Sequence, residues 1–294
     1  MRRRKFLEVL TAGSLGIALE RSFVPIAQAQ SMGRTAVRLS EKASRASSFP
    51  SNSTIVLVHG AWADGACWSN VILPLKRHGI EVMCAPIPMT SLSNDTAALS
   101  WALERTNGPV VLVGHAYSGA VIAAVRDDRI KSLVYITALA PDEGETVAKV
   151  FYRDTASPER PKLTPDPHGF IWMPDDGFRR AVAPNASADE QSIAFATQRP
   201  ISVQCIQEPA PAPAWKTKPA WFLIAEEDRM IPPTTQRFMA DRMRATIRSG
   251  RVDHSPMYSA PHLVVDVILE AANQTLTQSA AATGQAAGHS LATS

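Results

Sequence analysis

Cysteine is scarce in this chain: only Cys67, Cys84 and Cys205 occur among its 294 residues. A small secreted domain held together by disulfides needs an even and denser set of cysteines, so that class is excluded. No cysteine or histidine spacing matches a zinc site either. The odd, widely spaced set leaves room for one disulfide at most, and the expected role of all three side chains is apolar packing.

Long apolar runs are also missing, because no stretch of about 18 or more residues is both apolar and free of charge. A permanent membrane span is therefore not expected. Apolar residues make up 45% of the chain and charged residues 19%, which is typical of a globular domain with a core. The length suits one large α/β domain or two small ones.

The first 30 residues have the pattern of an export signal. Basic residues at 2–5 precede a modest apolar stretch that ends in Ala27-Gln28-Ala29, a small-x-small cleavage pattern. The run at 3–7, Arg-Arg-Lys-Phe-Leu, resembles the twin-arginine consensus of bacterial Tat signals, whose cargo is exported folded. The sequence therefore predicts a signal peptide over 1–30 and a periplasmic or secreted protein. A basic amphipathic start of a cytosolic protein is the alternative.

A charge surplus is absent once this segment is set aside. Residues 1–29 carry five basic and two acidic side chains, a net +3, and the whole chain is also +3 at pH 7. The mature protein would then be close to neutral. This balance gives no reason to expect binding to nucleic acid or to anionic lipid.

Strands and helices alternate through the middle of the chain. Apolar β-branched runs and helical periodicity predict strands at 55–58, 81–85, 110–113, 132–137, 220–225 and 246–248, and helices at 68–77, 95–105, 118–125, 234–243 and 261–272. Repeated βα units imply an α/β fold with a mostly parallel sheet and helices on both faces. The predicted core comprises 51–141 and 219–273, between a linker at 31–50 and a disordered tail at 274–294.

The segment 142–218 interrupts this alternation with prolines and aromatic residues, including the rigid stretch 209–213. A long insertion between two strands of a parallel sheet is typical of a cap over a site at the strand ends. An independent packing unit is the alternative. The cap is favoured because the insertion's apolar residues need the main domain to bury against, and its aromatic character favours a small, partly apolar ligand.

The segment 110–119 almost matches a nucleophile elbow, the sharp strand-to-helix turn that exposes the serine of Gly-x-Ser-x-Gly. A buried-strand pattern leads into Gly114, and a helix-like run follows Gly119. The central position is Ala116, whose methyl group cannot attack a carbonyl carbon. Ser118 is a displaced candidate nucleophile, although successive helical residues point about 100° apart, so a packing role for its small side chain is favoured.

An oxyanion hole can be placed at two backbone positions. The loop at 59–62 follows the first strand and would contribute the N–H of Ala61. The residue after the centre of the elbow would contribute the N–H of Tyr117. His59 is expected to shape this loop, and His115 is expected to pack inside the elbow.

An acid and a base follow late in the chain. Asp228 lies just after strand 220–225 and is favoured as the acid over its neighbours Glu226 and Glu227. His254 lies between the last strand and the final helix and is the candidate base. The order elbow, acid, histidine is that of α/β-hydrolases, in which the carboxylate orients the imidazole and stabilises its charged form.

Four motifs in this order carry a resemblance to a known family: 57–62 (LVHGAW), 114–119 (GHAYSG), 227–232 (EDRMIP) and 253–257 (DHSPM). From about Thr54 to Ala272 the chain resembles the α/β-hydrolase superfamily, in particular the branch with plant hydroxynitrile lyases, methyl-ester esterases and many small bacterial hydrolases. The resemblance implies the α/β-hydrolase fold, with the triad acid, triad base and oxyanion donors at the four positions named above. It places the nucleophile at 116 and a glycine at 118, where this chain has alanine and serine.

Four functions are compatible with an elbow that lacks its serine. The leading hypothesis is hydrolysis of a small ester-like substrate, in which His254, oriented by Asp228, activates water. The alternatives are attack by a displaced Ser118, proton-transfer chemistry of the lyase or isomerase type, and a catalytically silent small-molecule binder. The expected partner is a small, partly apolar molecule. No metal or organic cofactor is implied, and the sequence carries no signal of the oligomeric state.

Overall fold

A computed structural model of the protein describes residues 49–289, with side chains placed up to residue 277. The predicted signal peptide, most of the predicted linker and the last five residues lie outside the described part. Phe49, assigned to the linker by its sequence, is buried in a core cluster with Ile55 and Leu57. The folded region therefore includes the end of the predicted linker, because an aromatic ring there covers the first strand.

Six parallel strands form the central sheet, in the order β2-β1-β3-β4-β7-β8. A separate antiparallel ribbon pairs β5 with β6. The strands are β1 Thr54–Val58, β2 Glu81–Ala85, β3 Val110–His115, β4 Ile130–Ile136, β5 Phe170–Ile171, β6 Ile201–Ser202, β7 Ala220–Ala225 and β8 Thr246–Gly250. The predicted α/β fold with a mostly parallel sheet is confirmed.

Alternation along the strands distributes the core between two faces of the sheet. In β1, Val56 and Val58 join one buried cluster, whereas Ile55 and Leu57 join the other. The same division recurs in β3, β4 and β7, since successive strand residues point to opposite faces. Both faces are apolar, as a parallel sheet covered by helices on each side requires.

The helices cover these two faces. In chain order they are α1 Ser69–Lys76, α2 Leu92–Leu103, α3 Ser118–Ala124, α4 Val147–Phe151, α5 Ala188–Ala196, α6 Val203–Gln207, α7 Pro233–Met243, α8 Pro256–Ser259 and α9 Pro261–His289. Helices α2, α3 and α7 pack on one face, and α1 and α9 pack on the other. Among the described residues, no helix combines the length and apolar character needed to cross a membrane.

Two helix boundaries differ from the sequence prediction by more than two residues. Helix α2 begins at Leu92 rather than at residue 95, because the Ser91 side chain accepts a hydrogen bond from the N–H of Asn94 and caps the first turn. Helix α9 continues to His289, beyond its predicted end at residue 272 and into the segment 274–294 that the sequence predicts to be a disordered tail. Alanine and glutamine have high helix propensity, and Leu276 of this segment is fully buried against the sheet face.

Residues 142–218, called the cap below, connect β4 to β7 and contain α4, the β5–β6 ribbon, α5 and α6. Several apolar cap residues belong to the same buried cluster as one face of the sheet, among them Val147, Ile171, Phe178 and Cys205. The cap thus shares its core with the main domain, which accounts for its apolar content.

Candidate active site

The turn between β3 and α3 has the backbone of an elbow. Ala116 adopts a left-handed conformation with a φ of 50°, and its carbonyl oxygen accepts hydrogen bonds from the N–H groups of Gly119, at 3.1 Å, and Leu139, at 2.9 Å. A Cβ atom on Gly114 would lie 2.8 Å from the carbonyl oxygen of Ser118, and one on Gly119 would lie 2.4 Å from that of Leu139. The two glycines therefore permit the close packing that holds Ala116 in its strained conformation.

His254 and Asp228 meet at the carboxyl ends of β8 and β7. Their side chains are buried, and Nδ1 of His254 lies 2.8 Å from Oδ2 of Asp228. An ionised carboxylate only accepts hydrogen bonds, so Nδ1 carries the proton, and Nε2 of the neutral ring is left as an acceptor. His254 lines the same pocket as Ala116.

The Asp228 carboxylate is held by three further donors. Its Oδ1 atom accepts the backbone N–H groups of Met230, at 2.7 Å, and Ile231, at 2.9 Å. Its Oδ2 atom accepts Nε2 of Gln236 at 2.8 Å. The rival acids lie apart from this pair, because Glu226 forms an ion pair with Arg237 and Glu227 forms one with Arg251 at 3.1 Å.

Two buried groups support the backbone of His254. The carbonyl oxygen of His254 accepts Oγ1 of Thr137 at 2.9 Å and Nε2 of His115 at 2.8 Å. Burial lowers the pKa of His115 to about 3, with a smaller contribution from His254. His115 is therefore neutral near pH 7 with its proton on Nε2, and it positions the loop that carries the candidate base.

The two residues proposed as oxyanion donors, Ala61 and Tyr117, line the pocket. Within residues 49–289, neither of their backbone N–H groups donates a hydrogen bond to the protein. The loop is anchored by Trp62, which has a φ of 59°. Its N–H donates to the carbonyl oxygen of Arg199 at 3.1 Å, and its indole Nε1–H donates to that of Ile171 at 2.9 Å.

His59 lies at the start of this loop. Its Nδ1 atom donates to the carbonyl oxygen of Gly60 at 3.1 Å. Burial lowers the pKa of His59 to about 4, so its ring is neutral and packs at the base of the loop rather than facing the pocket.

Ser118 does not bring its hydroxyl group into the pocket. The side chain is fully buried, and Oγ donates a hydrogen bond to the carbonyl oxygen of His59. Ser118 is also absent from the residues that line the pocket. This position does not support the displaced-nucleophile hypothesis, because one helical step from Tyr117 turns the side chain toward the end of β1.

The pocket between the sheet edge and the cap encloses about 510 Å³ of empty space, including its opening to solvent. Its only ionisable lining groups are His254 and two tyrosines, and the remaining lining residues are apolar. The lining comprises Ala61, Trp62, Ala116, Tyr117, Leu139, Val147, Ala148, Phe151, Tyr152, Leu163, Ile171, Ile201, Ile206, Met230, Ile231 and His254. Such a cavity suits a small, apolar ligand with one polar reacting group.

A buried carboxyl group that sequence analysis missed lies immediately before the candidate base. Asp253 accepts the N–H of Asn185 in the cap at 2.8 Å, the N–H of Ser255 at 3.1 Å and Oγ of Ser259 at 3.3 Å. Burial raises the pKa of Asp253. In the sequence, the position of Asp253 immediately before His254 is the signal that could have indicated its role. Its contacts hold the loop that carries His254 against the cap.

No metal centre accompanies these groups in the part of the chain that is described: no three His, Cys, Asp or Glu side chains are grouped to hold an ion. The three cysteines are free thiols, of which Cys67 and Cys205 are buried. Burial raises the pKa of Cys84 to about 11, so this thiol stays protonated at neutral pH.

A parallel sheet with a strained strand-to-helix turn, a late acid–histidine pair and two free N–H groups over one pocket defines the α/β-hydrolase class. The family model described as "Alpha/beta hydrolase family" matches residues 55–267. The chain belongs to this family.

The relatives that the chain resembles include several esterases. It is 32% identical over 110 residues to a carbendazim hydrolyzing esterase of Nocardioides sp., covering 32% of this chain and 46% of that protein. It is 25% identical over 251 residues to methylesterase 2 of Arabidopsis thaliana, covering 74% of this chain and 95% of that protein. The crystal structure of a pyrethroid hydrolase from Sphingobium faniae aligns with a TM-score of 0.64 and 21% identity, over 75% and 97% of the two chains, which supports the common fold.

Proposed function

We propose that the protein hydrolyses small apolar esters and that position 116 is the site of the family's nucleophile, here occupied by alanine. Water activated by His254 would take the place of the serine. The observation that carries this proposal is the His254–Asp228 hydrogen bond of 2.8 Å, which uses Nδ1 and leaves Nε2 as the ring atom that can accept a proton, on a residue that lines the same pocket as Ala116. Esterase relatives support the same class of substrate.

The proposed reaction uses one water molecule and forms no acyl-enzyme. Nε2 of His254 accepts a proton from water as the water oxygen bonds to the ester carbonyl carbon. The N–H groups of Ala61 and Tyr117 stabilise the negative charge on the carbonyl oxygen. The tetrahedral intermediate then expels the alkoxide, which takes the proton from the imidazolium. Asp228 stabilises that imidazolium, and the products are a carboxylic acid and an alcohol.

The expected rate is low compared with that of a complete triad. Loss of the nucleophile from a serine enzyme costs about a million-fold in kcat, and the remaining parts retain about a thousand-fold over the reaction in water. The space left by the missing serine side chain belongs to the pocket that His254 also lines. A water molecule held there would recover part of this loss by orientation.

A second candidate is ligand binding without turnover. It is favoured by the methyl side chain of Ala116 and by a lining that is apolar except for His254 and two tyrosines. The same base without a nucleophile also suits a proton-transfer step of the lyase type. These alternatives can be distinguished from hydrolysis by whether an ester in the pocket is hydrolysed.

The test is turnover of short-chain p-nitrophenyl esters by the purified protein, with a fluorophosphonate probe for covalent nucleophiles. Hydrolysis without labelling that is lost in His254→Ala, but kept in the matched control His262→Ala at an exposed histidine, supports water activation. Labelling that disappears in Ser118→Ala would restore the displaced nucleophile. Saturable binding of small aromatic molecules without turnover would establish the silent binder.

A further inference from the structure

Asp95 is a fully buried carboxyl group in the first turn of α2. Its Oδ2 atom accepts the hydroxyl of Tyr117 at 2.7 Å, and its Oδ1 atom accepts the N–H of Met89 at 2.7 Å. The thiol of Cys205, in cap helix α6, lies 3.5 Å from Oδ2. One carboxyl group thus joins the elbow, the loop after β2 and the cap.

The partners of Asp95 are all neutral donors. Burial raises the pKa of Asp95, and burial also raises the pKa of Tyr117, so the phenol stays protonated and donates. Met89 has a φ of 61°, and its carbonyl oxygen accepts the N–H of Ser202 at 3.0 Å. A buried carboxyl group without a cationic partner is expensive compared with an apolar side chain of similar size. Its contacts therefore suggest a role beyond packing.

Tyr117 connects this cluster to the site. Its backbone N–H is a proposed oxyanion donor, and its side chain lines the pocket. The N–H of Tyr117 belongs to the peptide group that follows Ala116, whose backbone is strained. A rotation of Tyr117 would therefore redirect this N–H. A hydrogen bond at the far end of the ring resists that rotation.

We propose that Asp95 is a positioning residue that holds Tyr117 with its N–H toward the substrate's carbonyl oxygen and couples that donor to cap helix α6. The inference rests on the proposed function for the role of that N–H. Asp95 is then a group outside the acid–base pair that determines how well the oxyanion hole stabilises negative charge.

The experiment measures the rate of fluorophosphonate labelling in the Ala116→Ser background, where a serine reports on the oxyanion hole directly. Asp95→Asn and Tyr117→Phe are each expected to slow labelling by about 10- to 100-fold, the usual cost of a misplaced group. The double variant should be no slower than the slower single variant, because both changes break one contact. The matched control is Ser100→Ala, because the hydroxyl of Ser100 donates only to the carbonyl oxygen of Thr96 in the same helix.

Labelling within twofold of the background in folded Asp95→Asn and Tyr117→Phe proteins would overturn the inference, as would additive effects in the double variant. If Asp95→Asn does not fold, Tyr117→Phe alone decides, since it removes one hydroxyl. A serine at 116 that is never labelled also overturns it. Absence of ester turnover in the Ala116 chain, with Asp95-dependent labelling in the serine background, would instead reject the proposed hydrolysis and keep the positioning role.

Discussion

Ala116 occupies a backbone conformation that alanine disfavours. A left-handed non-glycine residue costs about 1–2 kcal/mol, and here two N–H donors on its carbonyl oxygen and tight glycine packing maintain it. Ala116 lines the pocket that His254 also lines. The proposed function places the family's nucleophile at this position, where the chain has a methyl group.

Under the proposed function, Ala116→Ser should raise ester hydrolysis by about a thousand-fold or more, because it adds a nucleophile to the proposed base and the proposed oxyanion hole. The measurement is kcat/KM for p-nitrophenyl acetate. Ala116→Gly relieves the same backbone strain without adding a hydroxyl and should show no such gain. Equal rates for the serine and glycine variants would mean that His254 does not reach position 116.

His115 links a single side chain to the pH dependence of stability. Its pKa of about 3 in the folded protein lies below the ordinary value of 6.5, so between these pH values the unfolded chain binds a proton that the folded chain does not bind. Its contribution is complete above pH 6.5 and is lost as the pH falls, by about 1.4 kcal/mol per pH unit. His59 acts in the same direction, with a folded pKa of about 4, whereas burial acts in the opposite direction on Asp95 and Asp253.

His115→Gln keeps an N–H donor for the His254 carbonyl and removes the titration. Between pH 6.5 and pH 5, the free energy of unfolding of this variant should fall by about 2 kcal/mol less than that of the parent. Chemical denaturation at a series of pH values measures the difference. His78→Gln, at an exposed histidine, is the control, and parallel curves for parent and His115→Gln would contradict the assignment.

The helices divide the molecule's stability between the two faces of the sheet. Helix α9 covers one face with α1, and its buried residues extend from Val264 to Leu276. Thr275 adds a hydrogen bond of 3.0 Å between its hydroxyl and that of Ser132 in β4. The helix therefore contributes to the core beyond the point at which its sequence loses apolar periodicity.

Leu276→Ala should destabilise the protein by about 2–5 kcal/mol, because the change leaves a cavity between α9 and the sheet. Gln274→Ala, two residues earlier on the exposed side, should change stability by less than about 0.5 kcal/mol. Thermal or urea unfolding of the two variants gives the comparison. Similar free energies of unfolding for the two variants would show that α9 contributes to stability only before residue 274.

The cap and the main domain are connected directly at the site. Trp62 bonds to two cap carbonyl groups, and Arg242 of α7 pairs with Glu145 at 2.8 Å while donating to the carbonyl oxygen of Ala140. These contacts place apolar cap residues over Ala116. Access to the pocket therefore depends on how the cap packs, and removing water around the ester would strengthen the oxyanion contacts.

Export through a twin-arginine signal remains a prediction for the chain as a whole. Arg3→Lys together with Arg4→Lys should leave the full-length precursor in the cytoplasm, because that pathway recognises the arginine pair. Fractionation of expressing bacteria with detection of precursor and mature forms measures the outcome. Arg2→Lys is the matched control, and unchanged export of the double variant would reject the signal assignment.

Local sequence patterns were sufficient to predict much of the fold and of the candidate site. Runs of apolar, largely β-branched residues predicted the strands of the sheet, and the glycines of 114–119 predicted the elbow, since each pattern depends on neighbours a few residues away. Asp228 and His254 could be selected because parallel strands end at one edge, and residues that follow them gather there. The structure places both at that edge, 2.8 Å apart.

Only the folded arrangement decided which distant groups meet. Nothing local indicates that Asp95 accepts a bond from Tyr117, that His115 donates to the carbonyl oxygen of His254, or that Ser118 turns toward His59. These contacts join segments 22 to 139 positions apart in the chain, so they leave no periodic signal. They exist because packing two layers of helices on one sheet brings those atoms together, and buried polar atoms must then find partners.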